Sequence, residues 1–200
     1  MEENPSLKIV ILGNICVGKT CILNRFADNS FGDQYQPTIG LDYRVKQMLL
    51  SNKKTVKIQI WDTSGEERFL SLTKNFFKGA NGALIVYDIT NRKSFEDVER
   101  WVESIKENID VKTLSIVIAA NKVDMEKERV VSKEEGEKIA SNEKFKFYET
   151  SAKSAVNIND IFQHMTEEMY MMRKGSSEGK EDNIKIKKKK KGSEKKKRKC

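Results

Sequence analysis

Two hydrophobic patterns alternate along the chain. Lys8–Gly13 (KIVILG), Ala83–Ile89 (ALIVYDI) and Leu114–Ala120 (LSIVIAA) are short, continuous, branched apolar runs, the pattern of strands buried on both faces. Leu41–Leu50 and Thr55–Trp61 alternate apolar with polar residues around SNKK, which predicts a hairpin. Lys144–Tyr148 reads as a weaker final strand. Gly18–Ala27 spaces Cys21, Ile22 and Phe26 on one helical face, and further helical patterns lie near residues 68–79, 94–108, 133–141 and 158–173. Ser94, ahead of Phe95–Glu96–Asp97, has the form of a capped start. Residues 28–40, polar and containing Pro37, predict a loop. Strand and helix alternate through most of the chain without an internal repeat. The expected fold is α/β, a doubly wound, six-stranded, mostly parallel sheet with helices on both faces.

Charge changes this picture only at one end. The chain has 200 residues and a formal charge of +8, but residues 183–200 hold 11 Lys/Arg and one Glu. The rest carries 27 basic against 29 acidic residues, so basic character belongs to the tail and says little about the body's partners. The expected organisation is an extension over residues 1–6, one domain over 7–174, and a low-complexity, disordered polybasic tail over 175–200. Cys16, Cys21 and Cys200 make no C-x-x-C pair, so neither a disulfide framework nor a zinc site is indicated, and a reducing compartment fits. No signal peptide and no apolar stretch of about 18 residues are present, which predicts a soluble intracellular protein unless the tail attaches it to something.

Three stretches carry chemistry. Gly13–Thr20 (GNICVGKT) matches G-x-x-x-x-G-K-[ST] between a strand and a helix, the context that pattern requires. Its glycines let backbone N–H groups wrap a phosphate at a helix N-terminus, with Cys16, Val17, Gly18 and Cys21 in the cradle. Lys19 is placed for the β- and γ-phosphates, and the Thr20 hydroxyl for Mg²⁺. A chance glycine turn is the bland alternative. Asn121–Asp124 (NKVD) follows the LSIVIAA strand, at the sheet edge where loops meet ligands. The Asp124 carboxylate can accept from guanine N1–H and the 2-amino group, a pair adenine lacks, with Asn121 and Lys122 positioning the loop. Thr150–Lys153 (TSAK) would bring backbone N–H, through Ser151, Ala152 and Lys153, to the same base.

In order, GNICVGKT, PTIG, WDTSGEERF, NKVD and ETSAK resemble the Ras superfamily of small GTPases, and TIGLDY at 38–43 with FFKGANGALIVYDITNRKSF at 76–95 most resembles its Rab family. The resemblance covers residues 7–172 and implies a small G domain of the P-loop NTPase class, a GTP/GDP switch regulating vesicular membrane traffic. It implies that Thr38 binds Mg²⁺ and the γ-phosphate only in the GTP state, that Phe31 is the first switch's aromatic residue, and that Tyr35 closes over the nucleotide. Asp62 would hold Mg²⁺ through water and Gly65 N–H would contact the γ-phosphate, so loss of that phosphate releases both loops to exchange factors, activating proteins and effectors. Ile39–Tyr43 and Trp61 would form much of the surface effectors read, though plain strand packing accounts equally for Trp61. A monomer is expected.

Several residues depart from the family pattern. Glu66 stands where the family carries a water-orienting glutamine. A neutral amide both donates and accepts, whereas an ionised carboxylate only accepts and adds negative charge beside the γ-phosphate. Ile15 replaces a small residue and would crowd the attacking water, while Ser64 and Asn14 stand for alanine and aspartate. Glu66, Gly65 and Lys19 are therefore the catalytic candidates, with slow intrinsic hydrolysis expected. A glutamate acting as base, or a GTP-binding scaffold that never hydrolyses, are the alternatives. A P-loop kinase is a further one, which NKVD and PTIG oppose. The tail suits an anionic cytoplasmic leaflet, at about 1 kcal/mol per nearby Lys/Arg, and a prenyl group on Cys200 would supply a second anchor. This places the protein peripherally on the cytosolic face of an intracellular membrane. Nuclear import or RNA binding competes, without the interleaved aromatics that stack bases. The methionines of HMTEEMYMMR suit a core face better than a partner face, His164 packs or hydrogen-bonds on that helix, and Cys16 could be redox-reactive without nucleotide.

Overall fold

A computed structural model describes residues 5–32, 42–63 and 77–175. Its sheet has six strands, β1 (Ser6–Leu12), β2 (Asp42–Leu49), β3 (Thr55–Asp62), β4 (Gly82–Asp88), β5 (Ser115–Asn121) and β6 (Lys146–Thr150), in the order β2-β3-β1-β4-β5-β6. Only β2, paired to β3, runs antiparallel. Among the described residues the helices are α1 (Lys19–Asp28), α2 (Arg92–Glu96), α3 (Val98–Asn108), α4 (Lys133–Glu143) and α5 (residues 158–175), with 3₁₀ turns at Val111–Thr113 and Val123–Glu128. The expected doubly wound sheet is what forms.

Alternation along the central strands divides the core in two. Ile9 and Ile11 of β1, Leu84 and Val86 of β4, and Val117 and Ala119 of β5 face α1 and α5, meeting Phe26, Phe162, Met165 and Met169. Phe26 and Phe162 stack there at 4.0 Å between centroids. The intervening residues Val10, Ile85 and Ile118 face α3 and α4, meeting Trp101, Val102, Ile105 and Ala140. A strand covered on both sides has no polar face to offer, which is why these runs are continuously apolar. The methionines behave as expected of a core face at Met165 and Met169, whereas Met171 is exposed.

Two boundaries differ in ways that matter. The helix expected over 94–108 begins at Arg92, capped by the Asn91 side chain on Ser94 N–H, and breaks at Asp97. Ser94 is not the cap; its hydroxyl is buried, donating to the Asn91 carbonyl and accepting from Asp88 N–H. The last strand runs to Thr150, two residues beyond the expected end, because its pairing continues to Asn121↔Thr150. Of the segment expected to be helical near 68–79, residues 68–76 lie outside the described residues.

Candidate functional site

Sheet register brings the chemistry to one edge. Ile11 is level with Asp62, Asp88 with Asn121, and Asn121 with Thr150, so Asp62, Asn121 and Thr150–Ser151 come to the same end as the loop after β1. That loop needs its glycines. Gly13 has φ +136° and an added Cβ would lie 2.1 Å from the Val86 carbonyl oxygen; Gly18 has φ +97° and its Cβ would lie 2.4 Å from Asn121 Nδ2. Cys16 also adopts a left-handed φ, 64°, and both it and Ile15 are exposed while Val17 is buried.

Lys19 opens α1 with a buried side chain whose Nζ donates to the carbonyls of Gly13 (2.9 Å) and Asn14 (2.7 Å). Burial pushes its ammonium down to about 8, against the pull of the Asp62 carboxylate. One residue on, Thr20 Oγ1 donates to Asp62 Oδ2 at 2.5 Å. Burial raises the Asp62 carboxyl from its ordinary value, opposed by that hydrogen bond and by Lys19. Its other oxygen, Oδ1, is buried and makes no hydrogen bond. A hydroxyl and a carboxylate in contact, with one buried acceptor unsatisfied, fit a small hard divalent cation that keeps most of its own water. Among the described residues no three His, Cys, Asp or Glu cluster as a metal cage, which such a cation does not require.

The other side is organised by Asn121, buried at the end of β5. Its Nδ2 donates to the Val17 carbonyl at 2.8 Å, and its Oδ1 accepts from the Thr150 hydroxyl and Ala152 N–H, each at 3.3 Å. One amide thus ties the loop after β1 to the loop after β6. Lys122 has φ 71° and pairs with Asp88 at 2.6 Å; Asp124 is exposed, and its Oδ1 accepts from the buried Ser151 hydroxyl at 2.5 Å. Ser151 Oγ also accepts from Ser154 N–H at 2.9 Å.

A profile of the Ras family matches residues 8–171. Over 172 residues the chain is 39% identical to Ras-related protein Rab-13 of Rattus norvegicus, covering 86% of this chain and 84% of the relative. It is 44% identical to Ras-related protein Rab-10 of Diplobatis ommata over 164 residues, 81% and 80% of the two chains. Ras-related protein Rab-8B of Pongo abelii is 44% identical over 155 residues, 78% and 74%. The chain belongs to the Rab family of Ras-related small GTPases. It is a guanine-nucleotide-binding switch of membrane traffic, and hydrolysis of GTP is the family's activity.

Within this Rab domain the sequence missed three positioning groups. Arg25, on α1, donates from Nε to Ala152 O (2.8 Å) and from a terminal nitrogen to Lys153 O (3.1 Å), while its other terminal nitrogen holds Asn29 O (2.9 Å). Asp88 anchors Lys122, and Asp97 holds Asn14. Arg25 and Asp97 lie in no recognisable motif, and Asp88, inside the Rab-like 76–95 stretch, does not read as a positioning group there; the signal in each case is a contact remote in sequence. Phe31 packs against the core cluster beside Arg25. Trp61 stacks on exposed Tyr43 at 5.4 Å with Lys8 Nζ 4.3 Å from its ring, so it packs on the sheet and also borders the surface. His164 sits 3.8 Å from Glu168 on α5, away from the site. Tyr35, Thr38, Ser64, Gly65, Glu66 and Cys200 lie outside the described residues. No helix among the described residues is long and apolar enough to cross a membrane.

Proposed function

We propose that the loop Gly13–Thr20 holds the phosphates of GTP or GDP, with Mg²⁺ bound by Thr20 and, through water, by Asp62. The observation that carries this is the buried Lys19 ammonium beside a buried carboxylate with an unsatisfied oxygen. A cation depressed by burial gains from an anionic ligand, and the strand-to-helix turn holds its shape through two positive-φ glycines, at which a Cβ would strike the Val86 carbonyl or the Asn121 amide. Bound Mg²⁺ supplies neutralisation of charge on the phosphate oxygens. Lys19 orients the β- and γ-phosphates; Cys16, Val17, Gly18 and Cys21 contribute to the cradle. Asp124, its plane set by Ser151, accepts from guanine N1–H and the 2-amino group, while Ala152 and Lys153, held by Asn121 and Arg25, supply backbone to the base. Thr38, Tyr35 and Gly65 respond to the γ-phosphate, with Phe31 and Tyr35 against the nucleotide.

Intrinsic hydrolysis is slow in this reading. Glu66 can only accept a hydrogen bond when ionised, and Ile15 places an exposed branched side chain on the phosphate loop. Single-turnover hydrolysis of GTP on the purified full chain tests both. Glu66→Gln should be faster than the parent, and Ile15→Gly faster again in combination. If Glu66→Gln is no faster, Glu66 is not the brake; if neither protein hydrolyses GTP while both retain it, the protein is a GTP-binding scaffold controlled by exchange alone. Residues 175–200 act as the membrane tail, with 183–200 on anionic lipid and Cys200 prenylated, so that the monomer sits on the cytosolic face of an intracellular membrane. Sedimentation with vesicles containing phosphatidylserine, with and without residues 183–200, tests the electrostatic part.

A further inference from the structure

Asn14 is part of the phosphate loop, and its carbonyl accepts from Lys19 Nζ at 2.7 Å. Its side chain turns the other way, to the break between α2 and α3. There Nδ2 donates to Asp97 Oδ2 at 2.7 Å and Oδ1 accepts from Trp101 Nε1 at 2.9 Å. The Asp97 side chain is 3% exposed, and its Oδ1 accepts from Lys93 (2.9 Å) and Arg100 (3.3 Å). The order of donors and acceptors has one solution. The indole can only donate and the carboxylate can only accept, so the amide between them must present oxygen to Trp101 and nitrogen to Asp97.

We propose that Asn14 and Asp97 are a positioning pair that fixes the phosphate loop through this order, and that a carboxylate at position 14 is tolerated only if the carboxylate at 97 becomes an amide. Asn14→Asp alone sets two carboxylates face to face. Asp97→Asn alone can keep its oxygen on Asn14 only by turning its NH2 toward Lys93 and Arg100, which then lose their acceptor. Exchanging both restores every bond with the 14–97 hydrogen bond reversed: the amide at 97 donates to the carboxylate at 14, which still accepts from Trp101, while the amide oxygen at 97 still accepts from Lys93 and Arg100. Position 97 is buried, which limits how far water can absorb the mismatch, and the pair bears on the loop through the same residue whose carbonyl holds Lys19. The inference rests on that loop being the nucleotide site.

The test is the dissociation rate of a fluorescent GDP from full-length protein in Mg²⁺ buffer, with melting of the GDP-loaded protein alongside. Asn14→Asp should speed release on the order of tenfold, the scale of one charge-assisted hydrogen bond, and Asp97→Asn by less. Asn14→Asp combined with Asp97→Asn should return release to within about threefold of the parent, since what was lost is donor–acceptor order rather than the groups themselves. The pair is overturned if the double variant releases as fast as the product of the two single effects, or if the singles lower the melting temperature without changing release. Should Asn14→Asp not fold, a folded double variant with parental release supports the pair, and a double that also fails to fold refutes it. Lys19→Ala separates the underlying assumption: if it keeps parental GDP affinity, the loop is not the phosphate site, whereas loss of binding there with additive swap variants sinks only the pair.

Discussion

Replacing Asn121 by alanine probes the joint that ties together the two loops of the proposed nucleotide site. Three bonds disappear: Nδ2 to Val17 O, and Oδ1 from Thr150 and Ala152 N–H. Val17 is 1% and Ala152 2% exposed, so the carbonyl of one and the N–H of the other lose a partner where water does not reach. An orphaned buried group costs about 1–3 kcal/mol. The bonds to Oδ1 are long, and the Thr150 hydroxyl keeps a second acceptor in Ala120 O at 3.4 Å, so the total belongs near the lower half, roughly 3 kcal/mol. For a chain of this size that lowers the melting temperature by about 6–12 °C.

The assay is melting at fixed GDP and Mg²⁺, because ligand concentration itself shifts the midpoint, together with the GDP dissociation rate. Release should accelerate at least tenfold, since one side chain aligns the phosphate loop with the loop after β6. Asn121→Asp is the informative comparison. It keeps the acceptor for Thr150 and Ala152 but sets a carboxylate against the Val17 carbonyl, so it should loosen the phosphate loop more than it unfolds the sheet. If Asn121→Ala melts within about 2 °C of the parent and releases GDP at the parental rate, the two loops are held by something else and the joint is misassigned.

Arg25→Lys keeps the charge and loses the fork that spans Ala152 O, Lys153 O and Asn29 O; GDP release should accelerate several-fold with little change in melting, read by the same fluorescence assay. Gly136→Ala, in α4, should destabilise by about 1–3 kcal/mol by thermal melting, although alanine is the better helix former. Its Cβ would lie 2.4 Å from Tyr87 Oη and 2.5 Å from Phe147 Cε2. For Asp97, burial raises the carboxyl, but the hydrogen bonds from Lys93, Asn14 and Arg100 outweigh it and hold it below its ordinary value. Its contribution is therefore present above the ordinary carboxylate range and lost as pH falls through the depressed value; melting of Asp97→Asn should fall less steeply than the parent's between about pH 5 and 3.

What the sequence made legible was whatever local chemistry dictates. Gly13 and Gly18 announce the phosphate loop because no Cβ fits at either place, and the central strands announce themselves because helices cover both of their faces. Asn121, Lys122 and Asp124 were legible as a set because they follow a strand at the ligand edge. The break at Asp97 was not, since SFEDVERW reads as one helical run from Ser94 onward and the Asp97 that starts the second helix reads as part of its first turn. The carboxylate at the break takes hydrogen bonds from Asn14, 83 positions away, and from Lys93 and Arg100. Arg25 was invisible for the same reason, reaching Ala152 across 127 positions. Local rules therefore identify the groups proposed to meet the nucleotide, while the groups that hold those in place are chosen by the fold. The consequence is practical: Arg25 and Asp97 are positions outside the motifs at which exchange at the proposed site should be tunable, since both act on carbonyls or amides of loops that the motifs supply.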